Sequence, residues 1–144
     1  MKKYAILEML ECIKLSSDDI HTKTSAIIAT TDGDIVSVGS NTLTRGHTPC
    51  DNESQRPLKY KYLEHAERNA IYSAAKRGVS LLGCIMYMRW FPCVDCARAI
   101  IQSGVSKIVC DKPDFEDERR GNDFRISHQL FLSAGICIEY IYNN

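Results

Sequence analysis

The chain is 144 residues long, with 44% hydrophobic and 25% charged side chains, a composition that fits one globular domain spanning 1–144 with a buried core. Eighteen basic and eighteen acidic residues cancel to a formal net charge of zero. That balance argues against a nucleic-acid polymer as partner, because phosphate contacts favour a basic excess, and points to a small-molecule substrate. The seven cysteines are odd in number, and Met1-Lys2-Lys3-Tyr4 meets charge before an apolar signal core builds up. No apolar run approaches membrane-spanning length. A reducing, cytoplasmic setting with thiols kept free for metal is therefore expected.

In chain order, apolar Tyr4, Ile6, Leu7, Leu10 and Ile13 predict an amphipathic helix from Tyr4 to about Leu15. Ser25–Ala29 and Ile35–Gly39 read as strands around Thr31-Asp32-Gly33-Asp34, a hairpin signal. From Asn41 to about Lys59 the chain is poor in apolar residues and reads as a long loop, a place where function concentrates. A helix is expected from Leu63 to Lys76 or Arg77, stopped by Gly78. Next come a strand over Cys84–Met88, a helix over Cys93–Ser103 closed by Gly104, and a strand over Val105–Cys110. Lys112–Arg125 reads as a charged loop, Ile126–Ala134 as a helix, and Ile136–Tyr142 as a last strand. The order αββαβαβαβ implies an α/β fold, a five-stranded mixed sheet with helices on both faces in three αβα layers.

Two short stretches carry the chemistry, Glu64-His65-Ala66-Glu67-Arg68-Asn69-Ala70-Ile71 and Phe91-Pro92-Cys93-Val94-Asp95-Cys96. His65 and Glu67 are two apart and can address one point only near a helix start. Cys93 and Cys96, three apart on a first turn that Pro92 introduces, share a side. One imidazole and two thiolates suit Zn²⁺ and leave a fourth position open for water, as in catalytic sites. The plainer account is a buried cysteine pair with an incidental His-x-Glu. Each motif alone is weak, and the two together at strand-to-helix junctions favour zinc. A structural zinc would want a fourth donor at finger-like spacing, whereas Cys12, Cys50, Cys84 and Cys110 sit on other elements. His47 and Cys50, with Cys12 or His21, are weak candidates for a second metal. Trp90 or Phe91 suits stacking on a base, or equally packing beneath the site.

The H-x-E and P-C-x-x-C pair is the signature of zinc nucleobase deaminases. The span from Thr24 to Tyr142 resembles the cytidine and deoxycytidylate deaminase superfamily, most closely its deoxycytidylate (dCMP) branch. Gly39-Ser40-Asn41-Thr42-Leu43-Thr44-Arg45-Gly46, Arg56-Pro57-Leu58-Lys59-Tyr60 and Cys96-Ala97-Arg98-Ala99-Ile100-Ile101-Gln102-Ser103-Gly104 carry the likeness beyond the core motifs. The resemblance implies the cytidine-deaminase-like fold, with His65, Cys93 and Cys96 on zinc and Glu67 moving protons. It also implies that the Ala66 backbone meets the cytosine, that Asn41 bonds the sugar hydroxyl and that Lys23 meets the phosphate. Arg45 and Lys59 are further basic candidates on the long loop. For each of these three cations a solvated surface charge is the plainer explanation.

The implied reaction is hydrolytic conversion of dCMP to dUMP with release of ammonia, in a homo-oligomer, hexamer or dimer. Alternatives are dCTP, CMP or a 5-substituted dCMP as substrate, a tRNA adenosine or guanine deaminase, and a catalytically silent zinc and nucleotide-binding regulator. Ser40 and Thr42 depart from the Tyr and Gly common in the branch, in a loop that binds regulatory nucleotides in allosteric members. Regulation by dCTP and dTTP is therefore left open.

Overall fold

The computed structural model describes residues 2–142. The main sheet is built from β1 (Ser25–Ala29), β2 (Ile35–Ser40), β5 (Ile85–Met88), β6 (Lys107–Cys110) and β7 (Cys137–Tyr140). A separate two-residue ribbon pairs β3 (Thr42–Leu43) with β4 (Leu63–Glu64). The helices are α1 (Lys2–Ile13), α2 (Ala66–Arg77), α3 (Val94–Gln102) and α4 (Gly121–Ser133). The five strands run in the order β2-β1-β5-β6-β7, antiparallel as far as β5 and parallel from there on. This is the expected α/β sheet of mixed direction.

β1 is buried along its whole length, and its pleat separates two cores. Ala26 and Ile28 face α2, α3 and α4 through Ala70, Ile100 and Phe131. Ile27 and Ala29 face α1 through Ile6, Leu7 and Leu10. The hairpin expected at Asp32-Gly33 forms, with the Gly33 N–H donating to the Thr30 carbonyl at 2.9 Å.

α2 lies unusually close to β2. A Cβ on Gly39 would stand 2.5 Å from the Ala66 carbonyl oxygen and 2.5 Å from the Ala70 nitrogen, so only glycine allows this approach. Ser37 Oγ, donating to the Ala70 carbonyl at 2.6 Å, ties the same helix down. At the other end of α2, Gly78 takes the left-handed cap (φ 70°) that its position predicted.

Three expectations need correcting. Leu63 and Glu64 belong to β4 rather than to the helix, because they pair with Leu43 and Thr42. The long loop consequently contains β3, and it is further ordered by 3-10 turns over Asp51–Ser54 and Leu58–Lys61. α4 begins at Gly121, inside the stretch read as charged loop. Its inward stripe is Phe124, Ser127 and Phe131, at helical spacing but with a serine in the middle, which hid the periodicity.

Candidate metal and active site

Two helix starts meet at the site. His65 is the N-cap of α2 and Cys93 the N-cap of α3, both with extended backbones, and Cys96 follows in the first turn of α3. The Asp123 carboxylate of α4 accepts a hydrogen bond from the Val94 N–H at 3.0 Å and so anchors the end of α3 that carries both cysteines. Across the gap, Glu64 accepts from the His65 N–H at 3.0 Å and from Arg68. Arg68 also reaches Asp95 of α3 at 3.6 Å.

The donor atoms of His65, Cys93 and Cys96 lie within 4.8 Å of one another. His65 Nδ1 is 3.6 Å from Cys93 Sγ and 3.4 Å from Cys96 Sγ. A tetrahedral zinc with Zn–S of about 2.3 Å and Zn–N of about 2.0 Å sets a nitrogen and a sulfur about 3.5 Å apart, so the spacing fits that ion. The electrostatics fit as well. Hydrogen bonding to Cys96 and His65 pulls the Cys93 thiol down to about 4, while sharing that bond and burial push Cys96 up. Two thiolates cannot sit side by side without a cation, and a divalent metal removes the conflict.

Glu67, on the first turn of α2, is 8% exposed and opens on the same cleft as His65 and Cys93. Burial pushes its carboxyl above the usual range, opposed by Cys96 and His65. The cleft encloses about 300 Å³. A larger outer lobe of about 680 Å³ adjoins it and shares Trp90, Phe91, Arg119 and Arg120.

The other anticipated residues divide sharply. Trp90, 51% exposed, lines both lobes, whereas Phe91 is buried edge-on against Phe124 and Phe131, with ring centres 5.8 and 6.0 Å away. The aromatic pair therefore splits between a cleft wall and a packed floor. Ala66 is fully buried beside Gly39.

Asn41 borders the cleft, but its amide is fully engaged. Its oxygen accepts from the Thr24 N–H (2.8 Å) and Ser17 Oγ, and its nitrogen donates to the Thr22 carbonyl (2.7 Å) and Asp19 (3.4 Å). In this structure it braces the wall and offers no free group to a sugar. Lys59 is no free cation either: it is 1% exposed, and Nζ donates to both Asp19 oxygens at 3.0 Å. Lys23 lines only the outer lobe, with Nζ donating to the Ser17 carbonyl at 2.8 Å. Arg45 is not at the cleft, because the β3–β4 ribbon carries it to a separate concavity beside Tyr72 and Lys76. The second-metal candidates do not assemble among the described residues. His47 instead bonds Glu53 at 3.0 Å and stacks on Tyr62.

Sequence reading noted Arg56 only as part of the Arg56-Pro57-Leu58-Lys59-Tyr60 likeness and missed Arg119, Arg120 and Asp123; all four line the cleft. The last three fall in the stretch assigned to a charged loop, where nothing marks two arginines among seven acidic and basic neighbours. The available signal was Gly121, since a Cβ there would lie 2.3 Å from the Phe115 carbonyl, so the loop folds tightly back on itself.

A three-layer α/β fold that aims one imidazole and two thiols at a single point, beside a buried carboxylate and an open approach, defines a metal-dependent hydrolase rather than a structural zinc module. Residues 1–112 match the cytidine and deoxycytidylate deaminase zinc-binding region, and the chain belongs to that family. It is 35% identical to an uncharacterised deaminase of Aliivibrio fischeri over 93% of this chain and 89% of that one. It is 32% identical to the deoxycytidylate deaminase of Mus musculus over 83% of this chain and 68% of the relative. Among solved structures, the dCMP deaminase of cyanophage S-TIM5 in complex with dCMP and dUMP superposes with a TM-score of 0.75. That protein is 27% identical and 96% of each chain is covered. The family is zinc-binding. Among the described residues, no helix is long and apolar enough to cross a membrane.

Proposed function

We propose that the protein hydrolyses dCMP to dUMP, replacing the C4 amino group of the cytosine with oxygen from water and releasing ammonia. The observation that carries this reading is the convergence of His65, Cys93 and Cys96 on one point, with Glu67 beside it at the wall of an open cleft. The likeness to deoxycytidylate deaminases over most of the chain supports the choice of substrate.

His65, Cys93 and Cys96 would hold Zn²⁺, which when bound lowers the pKa of a water towards neutrality and so supplies the nucleophile. Glu67 takes the proton released from that water and delivers it to N3 of the pyrimidine. It then carries a second proton to the amino nitrogen, which leaves as ammonia. Its position, buried on the first turn of α2 and two residues from His65, keeps the carboxyl near both the ligands and the cleft. Trp90, at the cleft wall, would offer an indole face to the base, and the backbone of Ala66, the residue after His65 at the start of α2, would meet the cytosine. The two thiol ligands suit a reducing, cytoplasmic setting. A homo-oligomer, hexamer or dimer, follows from the resemblance to the dCMP branch.

An ultraviolet assay of the purified, zinc-loaded protein tests the substrate. Deoxycytidine, dCMP, dCTP, CMP and 5-methyl-dCMP are compared, and dCMP should have the highest kcat/KM. Another of these compounds turning over faster would replace dCMP as the substrate, and no turnover of any would remove the deaminase reading.

A further inference from the structure

The cleft contains cations that the reaction chemistry does not use. We propose that Arg119 and Arg120, on the turn leading into α4, hold the phosphate of the substrate and thereby select a nucleoside monophosphate over the free nucleoside. The inference rests on the dCMP reading above and names the residues that set its phosphate preference.

The assignment follows from which positive charges remain available. Lys59 is neutralised by Asp19. Lys23 is bound to a carbonyl in the outer lobe, and Arg45 lies elsewhere. Arg119 and Arg120 have no carboxylate within ion-pairing distance among the described residues, and they line the cleft at its junction with the outer lobe. Asp117 Oδ1 accepts from their main-chain N–H groups, at 2.9 Å from Arg119 and 2.7 Å from Arg120. That turn fixes the backbone and leaves both guanidinium groups without a carboxylate partner among the described residues.

Arg120 sits over the Trp90 ring, 5.5 Å from its centre, and Arg119 donates weakly to Tyr60 Oη at 3.4 Å. One cation is thus paired with the very surface suited to a base, so base and phosphate contacts adjoin. Planar guanidinium groups bind phosphate oxygens in a bidentate manner that lysine cannot reproduce. Apart from these two arginines, the outer lobe sets four cationic side chains against four carboxylates. It therefore offers no net charge to a second or third phosphate. Arg56 also lines the cleft, but it does not reach the junction.

Two measurements on the zinc-loaded protein test the proposal. In the first, Arg119→Gln/Arg120→Gln is compared with wild type on dCMP, deoxycytidine and dCTP. The ratio of kcat/KM for dCMP over deoxycytidine should fall by roughly 100-fold, mostly through a higher KM for dCMP, with kcat nearly kept. Arg119→Lys/Arg120→Lys should recover only part of the loss. A ratio unchanged in the glutamine variant overturns the proposal, as does a loss that follows Arg56→Gln instead, or wild type preferring dCTP to dCMP.

The second measurement needs no turnover. Trp90 is the chain's one tryptophan, so its emission reports directly on Arg120. Titrating wild type with inorganic phosphate should give a saturable change, weakened about tenfold or more in each single variant. A protein that deaminates no cytosine compound, yet shows this titration, loses the reaction and keeps the anion site. A protein that deaminates dCMP without any phosphate response loses the arginine assignment alone.

Discussion

Lys59 and Asp19 show how one ion pair changes the meaning of a cleft residue. A lysine 1% exposed is tolerated only because the carboxylate beside it is also buried and its oxygens accept from Lys59, the N–H groups of His21 and Thr22, and the Asn41 amide. Burial alone pushes the Asp19 carboxyl up, but those hydrogen bonds outweigh it and hold the group below the usual carboxylate range. Folding therefore favours the ionised form. The stabilisation is complete above the unfolded value near pH 4 and drains away as pH falls through the lower folded value. Asp19→Asn should lose about 3 kcal/mol in urea melts at pH 7, because Lys59 is left without its partner. The gap from wild type should narrow steadily below about pH 4. A gap that stays constant from neutrality to pH 3 would contradict this account of the pair.

At the scale of elements, the site depends on how two helix starts are held. α3 is anchored through Asp123 of α4, and α2 through its close approach to β2 at Gly39. Gly39→Ala places a methyl group 2.5 Å from two backbone atoms of α2, so the helix itself must move. The expected result is a loss of about 1 to 3 kcal/mol in stability, with zinc affinity weakened about tenfold or more, read by competition with a chromogenic chelator. Stability lost with zinc affinity unchanged would mean that the seat of α2 does not position His65. The same elements explain what the sequence could disclose. Helices with unbroken apolar spacing, such as α1 and α3, and strands bounded by turn residues were legible within a few positions. β3 and β4 were not, because two-residue strands have no periodicity to read and exist only through their mutual pairing. The first turns of α4 were not legible because Ser127 interrupts its buried stripe.

Over the whole molecule, legibility tracks how local each determinant is. His65 with Glu67, and Cys93 with Cys96, announce themselves because each pair lies within four residues and opens a helix. The phosphate candidates fared worse, because a cation's availability depends on distant partners. Lys59 is neutralised by a residue 40 positions away, and Arg45 is turned aside by a ribbon that local sequence does not reveal. Arg119 and Arg120 reach the cleft only through the packing of α4 against α3. Fold and metal-ligand spacing were thus written locally, and the availability of each cation in tertiary contacts.

The most direct test of the account is Glu67→Gln, assayed together for zinc content and for ammonia released from dCMP. Under the proposed mechanism the carboxylate moves protons and is not a ligand, so the variant should keep one zinc per chain and the wild-type melting profile. Its kcat should fall by roughly a hundredfold to ten-thousandfold. Full zinc content with near-normal turnover would contradict the assignment of Glu67 as the proton shuttle, and with it the central claim.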